Sequence, residues 1–460
     1  MKSSKIFFSI FIMLTVILAT SCKKSFFTDV NVNPNVPKEV APNLILPTAE
    51  AALGFTQGGD ISRFTSLITQ QVFGANSQSQ TYYSYGLNPG TFDNLWPNLY
   101  TSTIINIDTL KNEADARGYN VYSGISRILM AYTLQVAVDL WGKIPYSQAV
   151  KGNGNLHPSY DDDKALYDTI ASLVNVGITK LSDTKQGTLI PGADDGIYGG
   201  DPVKWIQFGH AIKARLYIHQ SKGDAGMATK ALQEVALSFT SNAENAQYIF
   251  GNAETAANPW YQFNRDRPGD ETFANSTFAE RLVTLNDPRY SVYIDEANDV
   301  GGQSPDGSHF GGLNSYFGAV NSPVEFITYD ELLFISAEAT LRTSGDYAAA
   351  QNYYQAAIRA NMQKLGINTG SINTYIAANG TLPTSSVNAA IAAVASQEFI
   401  ALYLNPEAWV TWRRIGSPSL APTGPGDVPR RLLYPQSEYS YNTANTPAST
   451  LYTPKIFWDK

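Results

Sequence analysis

The chain has 460 residues, and its 32 Lys and Arg against 40 Asp and Glu leave a net charge of −8. With charged residues at only 16%, no clustered basic face is present for a nucleic acid. A single cysteine excludes an internal disulfide and a thiolate metal site. Aromatic residues make up 12% of the chain, with 27 Tyr, a composition that fills helix interfaces and suits polar, uncharged ligands such as sugars or peptides.

Residues 1–21 read as an export signal: Lys2 and Lys5 give the positive start, and Ile6 to Ala19 is apolar except at Ser9 and Thr15. That run falls short of the ~20 apolar residues of a membrane span. Small residues lead to Cys22, the position of the lipidated cysteine in a bacterial lipobox. Lys23 rather than Asp follows it, which favours the outer membrane over retention in the inner one. Each buried methylene of an acyl chain contributes ~0.8 kcal/mol, and one chain holds only marginally, so a multiply acylated Cys22 is the expected anchor. Residues 22–42, with Asn31-Val32-Asn33-Pro34-Asn35 and prolines at 34, 37 and 42, predict an extended tether.

From residue 43 the period is helical. Ile125, Ile128, Leu129, Tyr132, Val136 and Leu140 form one apolar stripe, and Trp205, Phe208, Ile212 and Leu216 another. A third runs through Tyr347, Ala350, Tyr354, Ala357, Ile358 and Asn361. Further helices are predicted near 61–73, 94–116, 161–182, 224–239, 386–404 and 406–413, while strand alternation is scarce. Residues 329–343 and 347–364, broken at Ser344-Gly345-Asp346, carry the small-large-small spacing of a tetratricopeptide unit. Residues 203–220 and 224–239, broken at Lys222-Gly223-Asp224, repeat it loosely. The fold class expected is mainly α: helical repeats over one domain, 43–460, in which each repeat buries its face on the next. Long loops at 74–92, 183–202, 251–272 and 296–327 interrupt the scaffold and are the expected place for ligand contacts.

Catalytic motifs are missing: there is no Gly-x-Ser-x-Gly elbow, no phosphate loop and no His-Glu-x-x-His. His157, His210, His219 and His309 read as surface or packed residues, and the nine-residue step from His210 to His219 is half a turn out of register for a shared metal. Asp161-Asp162-Asp163 reads as the acidic first turn of a helix, with calcium binding the alternative. Asp194-Asp195 reads as a solvated turn. Trp412-Arg413-Arg414 and Pro429-Arg430-Arg431 read as structural pairs with acidic helix ends, or alternatively as a grip on an anion.

Several segments taken together resemble the SusD/RagB family of nutrient-binding outer-membrane lipoproteins. They are Cys22 with the Asn/Pro opening, Asp139-Leu140-Trp141-Gly142-Lys143-Ile144-Pro145-Tyr146-Ser147-Gln148-Ala149, and Asn286-Asp287-Pro288-Arg289-Tyr290. Next come Tyr329-Asp330-Glu331 to Ala337-Glu338-Ala339, and Ala357-Ile358-Arg359-Ala360-Asn361-Met362. Glu407-Ala408-Trp409, Trp412-Arg413-Arg414 and Pro429-Arg430-Arg431-Leu432-Leu433-Tyr434-Pro435-Gln436-Ser437-Glu438 complete the ordered set. The opening and the Tyr-Pro-Gln-Ser-Glu ending are closest to the second SusD-like subgroup. The resemblance implies four tetratricopeptide-like units, irregular loops bearing the ligand site, and a SusC-like, TonB-dependent β-barrel transporter as partner. It implies capture of a glycan or peptide and delivery to that transporter; no catalysis, no cofactor and no metal is expected.

The family's motifs are mostly scaffold, so the candidate ligand contacts come from loop composition: Tyr82, Tyr83 and Tyr85 in one loop, Trp260, Tyr261 and Arg265 in another, and Tyr316 in a third. An exposed ring there offers an apolar face to the C–H side of a sugar. The competing readings are a surface glycoside hydrolase, whose two carboxyls any chain with 40 acids can supply, and a tetratricopeptide-type protein scaffold.

Overall fold

The computed structural model describes residues 40–183, 187–296 and 312–460, so Cys22, the signal, the tether up to residue 39 and His309 lie outside the described residues. The chain enters on α1 (Pro42–Thr56), passes a π-helical turn (Gln57–Ile61) and continues in α2 (Ser62–Ile68). After α3 (Ser77–Tyr83), a wide turn at Asn98–Ile104 leads into α4 (Ile105–Arg117). Then come antiparallel pairs: α5 (Asn120–Trp141) with α6 (Asp163–Leu181), and α7 (Pro202–Gln220) with α8 (Ala225–Val235). An irregular region carries the short helices α9 (Pro259–Asp266), α10 (Thr277–Thr284), α11 (Tyr290–Tyr293) and α12 (Ser315–Gly318). The pairing resumes with α13 (Tyr329–Thr343) and α14 (Tyr347–Lys364), and, after α15 (Thr369–Asn379), with α16 (Val387–Ala401) and α17 (Glu407–Ile415). Neighbouring pairs touch through α6 on α7, α8 on α13 and α13 on α16, the stacking of a helical repeat. Strands among the described residues form three short antiparallel ladders: Phe73–Gly74 with Glu271–Thr272, Ala246–Ile249 with Pro323–Ile327, and Ile294–Asp295 with Gly312–Leu313. No helix among the described residues is long and apolar enough to cross a membrane.

The sequence explains where these helices start and how closely they pack. Asp162, Asp201, Asp224 and Asp346 each accept backbone N–H groups at a helix N-terminus, of α6, α7, α8 and α14 respectively. The acidic run at 161–163 therefore supplies a cap, and its neighbours reach elsewhere: Asp161 Oδ2 accepts the amides of Tyr146 and Ser147, both at 2.8 Å. Gly124 on α5 faces Gly177 on α6, and a Cβ on Gly124 would stand 2.9 Å from the Gly177 carbonyl oxygen, so the two backbones meet where neither residue has a side chain.

The Asp-Pro-Arg segment and the paired arginines are interior fasteners. Arg289 is fully buried and binds Asp287 at 2.6 Å, Asn361 of α14 at 3.0 Å and Gln397 of α16 at 2.8 Å. Arg215 of α7 meets Glu331 of α13 at 2.6 Å, and Arg414 of α17 meets Glu338 of α13 at 2.9 and 3.0 Å. Arg430 pairs with Asp459. Arg413 and Arg431 depart from the expected acidic partners, giving their hydrogens to backbone carbonyls instead.

Other expectations are also corrected. Asp195 is 4% exposed, not solvated: its carboxylate accepts the amides of Ile197, Tyr198 and Gly200 and the indole N–H of Trp205, and so organises the glycine-rich turn. The segments 74–92, 251–272 and 296–327, read as irregular loops, contain the helices α3, α9 and α12. Each of these is only one or two turns long, too short for an apolar period to register.

Candidate functional site

A groove runs along α1. Two adjoining hollows, of about 550 and about 220 Å³, share Phe55, Thr56, Asn98 and Gln262 in their walls. Pro47, Thr48, Ala51 and Ala52 of α1 form the floor of the larger hollow, Tyr248 and Phe250 one wall, and Ser102 the other. Asp60, Arg63, Phe263, Asp266 and Arg267 close the smaller one. Phe55 is 45% exposed, an apolar ring turned outward on the groove floor. Ring edges and faces of this kind, with a few placed polar groups, are what a neutral ligand of mixed polarity requires.

Local packing fixes each wall. Tyr248 lies on α1 where residue 54 is glycine: a Cβ there would be 2.8 Å from Tyr248 Cδ1. Its ring meets Phe250 edge-on at 5.1 Å. Burial, with the nearby Glu50 charge, raises the Tyr248 hydroxyl above its ordinary value, so it stays a neutral donor. Beneath it Glu50 is buried and accepts the Gly196 amide at 2.7 Å. Burial first, then the Asp195 charge, pushes the Glu50 carboxyl well above the usual carboxylate range. At the other end, the Phe263 ring lies 3.5 Å from the Arg63 guanidinium carbon, and Arg63 donates to Glu271 Oε1 at 3.1 Å and to Asp60 Oδ1 at 3.4 Å. The Arg63 guanidinium is therefore already paired, and Arg267, the other cation of this wall, is solvated and lies 3.7 Å from Asp270 Oδ2.

None of the seven residues singled out from the sequence lines this groove; Tyr82, Tyr83, Trp260 and Tyr316 pack on one interior cluster instead. Tyr82 and Tyr83 are half-buried on α3, their rings 5.0 Å from Phe64 and 4.9 Å from Phe73. Tyr85 and Trp260 are interior residues, at 6% and 3% exposure, a correction to the expectation of exposed loop rings. The Tyr85 hydroxyl accepts the Thr423 amide at 3.3 Å, and the Trp260 indole N–H donates to Ser62 Oγ at 2.9 Å. Trp260 borders a cavity of about 30 Å³, room for a water or two. Tyr261 and Arg265 pack on each other, 5.9 Å from ring to guanidinium, and Arg265 is held by Asp266 at 2.7 Å. Tyr316 donates to Glu325 Oε1 at 2.9 Å.

The segment holding Trp260 and Tyr261 does reach the groove, through their neighbours: Trp260 pins α9 from behind, and Gln262 and Phe263 face the hollow. Phe55, Tyr248 and Phe250 were not foreseen. A phenylalanine near the end of an apolar helix carries no mark in the sequence of pointing outward.

Among the described residues one set of side chains has metal-ligand composition: Asp139, His219 and Glu407, all buried. His219 Nε2 faces Glu407 Oε1 at 2.7 Å, and Nδ1 faces Tyr167 Oη at 2.9 Å and Asp139 Oδ2 at 3.5 Å. Asp139 Oδ1 also accepts the Trp458 indole N–H at 2.9 Å. The two carboxylates lie off opposite edges of the imidazole, so no single ring nitrogen meets both. The geometry is that of a hydrogen-bonded clamp joining α5, α7, α17 and the C-terminal segment. His219 thus belongs to the packed histidines, and His210 binds Glu234 at 2.6 Å near the surface.

The family model SusD-like, described as starch-binding and associating with the outer membrane, matches residues 34–435. No curated protein matches the chain. Among solved structures, a chitin-binding protein is similar with a TM-score of 0.77 at 22% identity, over 91% of this chain and 100% of that one. A SusD/RagB family protein of Bacteroides thetaiotaomicron has a TM-score of 0.74 at 23% identity, over 92% and 99% of the two chains. A chitin-binding SusD homolog of Flavobacterium johnsoniae has a TM-score of 0.71 at 18% identity, over 91% and 99%. Identities this low speak for the shared fold alone.

Proposed function

The chain belongs to the SusD-like family, and on that premise we propose that it is a lipid-anchored binding protein of the outer membrane that captures a neutral glycan in the groove along α1. It delivers the glycan to a SusC-like, TonB-dependent transporter without turning it over. The carrying observation is the groove itself: an outward-facing Phe55 ring opposite Tyr248 and Phe250, with every charged group at its end already paired or solvated. Chitin-binding among the structural neighbours and starch-binding in the family description support a glycan over a peptide. In this reading Cys22 carries the acyl chains, residues 22–42 are the tether, and 43–460 is the binding domain.

The test uses whole cells displaying the full chain, challenged with labelled chito- and malto-oligosaccharides. Surface retention of one class is expected, with no shortened products by chromatography. Cys22→Ala is expected to move both the protein and the binding into the soluble fraction. Product formation, or surface retention unaffected by Cys22→Ala, would overturn it.

A further inference from the structure

A second cavity, of about 770 Å³, lies where the segment after α5 meets the C-terminal stretch, and it shares no residue with the groove. Its volume is within the ~300–1,000 Å³ of small-molecule sites. Three cations border it, Lys143, Arg431 and Lys455, against one carboxylate, Asp163. Asp163 Oδ2 already accepts the Phe457 amide at 2.9 Å. Lys143 pairs with Asp162 at 3.3 Å, but with side chains 50% and 54% exposed that pair is weak and easily exchanged. The cavity border thus carries more cations than carboxylates, with Glu438 standing behind it, its Oε2 accepting the Tyr160 hydroxyl at 2.9 Å.

Arg431 is the unusual member. It is 2% exposed, and it gives hydrogens to the carbonyls of Leu432 at 3.2 Å, Pro454 at 3.1 Å and Trp141. The buried Arg215, Arg289 and Arg414 each have a carboxylate close by, at 2.6, 2.6 and 2.9 Å, whereas Arg431, like Arg413, has backbone carbonyls instead, and of these two only Arg431 borders the cavity. A guanidinium has five N–H hydrogens in a planar fork suited to a carboxylate. A buried cation without a counter-ion is destabilising, and an incoming anion relieves it. The half-buried rings of Tyr160 and Phe457 border the same cavity, with the hydroxyls of Ser159 and Thr446.

We propose that this cavity is a binding site for a carboxylate-bearing sugar, a hexuronate, with its carboxylate on Arg431 and its ring against Tyr160 and Phe457. The aromatic border favours a ring-bearing anion over a bare one. The site does not depend on the groove, and its failure leaves the groove reading untouched.

The test is calorimetric titration of the mature chain at low ionic strength with glucuronate, glucose and inorganic phosphate. Glucuronate is expected to bind, with glucose and phosphate at least tenfold weaker. Exchanging the two exposed lysines, Lys143→Gln with Lys455→Gln, is expected to weaken glucuronate about tenfold while leaving the melting temperature unchanged. Arg431→Lys keeps the charge, loses the fork and is expected to abolish binding; should its lost carbonyl bonds unfold the chain, the lysine pair decides. Absence of glucuronate binding, equal binding of phosphate, or undiminished affinity in the lysine variant overturns the proposal.

Discussion

Glu338 shows how single residues tie this molecule's stability to pH. Its carboxylate is buried on α13 between Arg414 and Arg342. Burial alone would raise its pKa, but the two guanidiniums outweigh that and hold it at about 2. An unfolded glutamate titrates near ~4.3. The stabilisation is therefore complete above that value and is lost as pH falls towards 2. Glu338→Gln leaves Arg414 buried without its partner. We expect it to cost roughly 3–5 kcal/mol at neutral pH, and we expect the two proteins to converge in denaturant titrations near pH 2. A constant difference across that range would refute the assignment. Glu50 and Glu398 have the opposite sign: burial pushes both carboxyls well up, so they favour the folded state below the unfolded glutamate value and oppose it as pH rises through their raised values. The acid and neutral ranges thus draw on different residues.

At the scale of elements, α1 is where fold and site meet. One of its faces buries Ile45, Leu46, Ala49 and Leu53, and another forms the groove floor. Gly54→Ala tests that double use. Alanine is favoured over glycine in a helix by ~1 kcal/mol, while the new methyl, 2.8 Å from Tyr248 Cδ1, forces the ring aside at a cost of ~1–3 kcal/mol. We expect stability to fall by no more than about 2 kcal/mol, with a displaced Tyr248 ring and a several-fold loss of oligosaccharide affinity. A crystal structure and a titration of the variant check both; an unmoved ring would contradict the packing argument.

The same element shows what the sequence carried and what it did not. The stripes on α5, α7 and α14 were legible because helices of 18 to 22 residues repeat their apolar face several times. The breaks at Gly223 and Gly345 and the acidic start of α6 were legible as local chemistry, while the capping roles of Asp201, Asp224 and Asp346 emerge from the structure. Helix α15, Thr-Gly-Ser-Ile-Asn-Thr-Tyr-Ile-Ala-Ala-Asn, was not, because its composition is that of a turn and it is held by burial of Ile372, Tyr375 and Ile376. Nor was the outward face of Phe55, which depends on distant segments failing to cover it. Loop aromatics are a natural expectation for a sugar site, yet Tyr82, Tyr83, Tyr85, Trp260 and Tyr316 serve as packing residues. A ring at a short helix end is as useful to the core as to a ligand.

At the scale of the whole molecule, the helix pairs give a stacked scaffold fastened by buried ions, and the irregular region between α8 and α13 adds one wall of the groove. This division of labour explains why the ordered motifs identify the family while leaving the ligand open: Asp139, Arg289, Glu407 and Arg414 hold helices together, and none lines the groove. In the proposed function the groove, through the exposed ring of Phe55, is where ligand is held. The most direct measurement is calorimetric titration of the wild type and of Phe55→Ala with the oligosaccharide the protein binds best. Loss of one stacking ring, worth ~1–2 kcal/mol, predicts an affinity about tenfold weaker with the melting temperature preserved; equal affinity in the two proteins would contradict it.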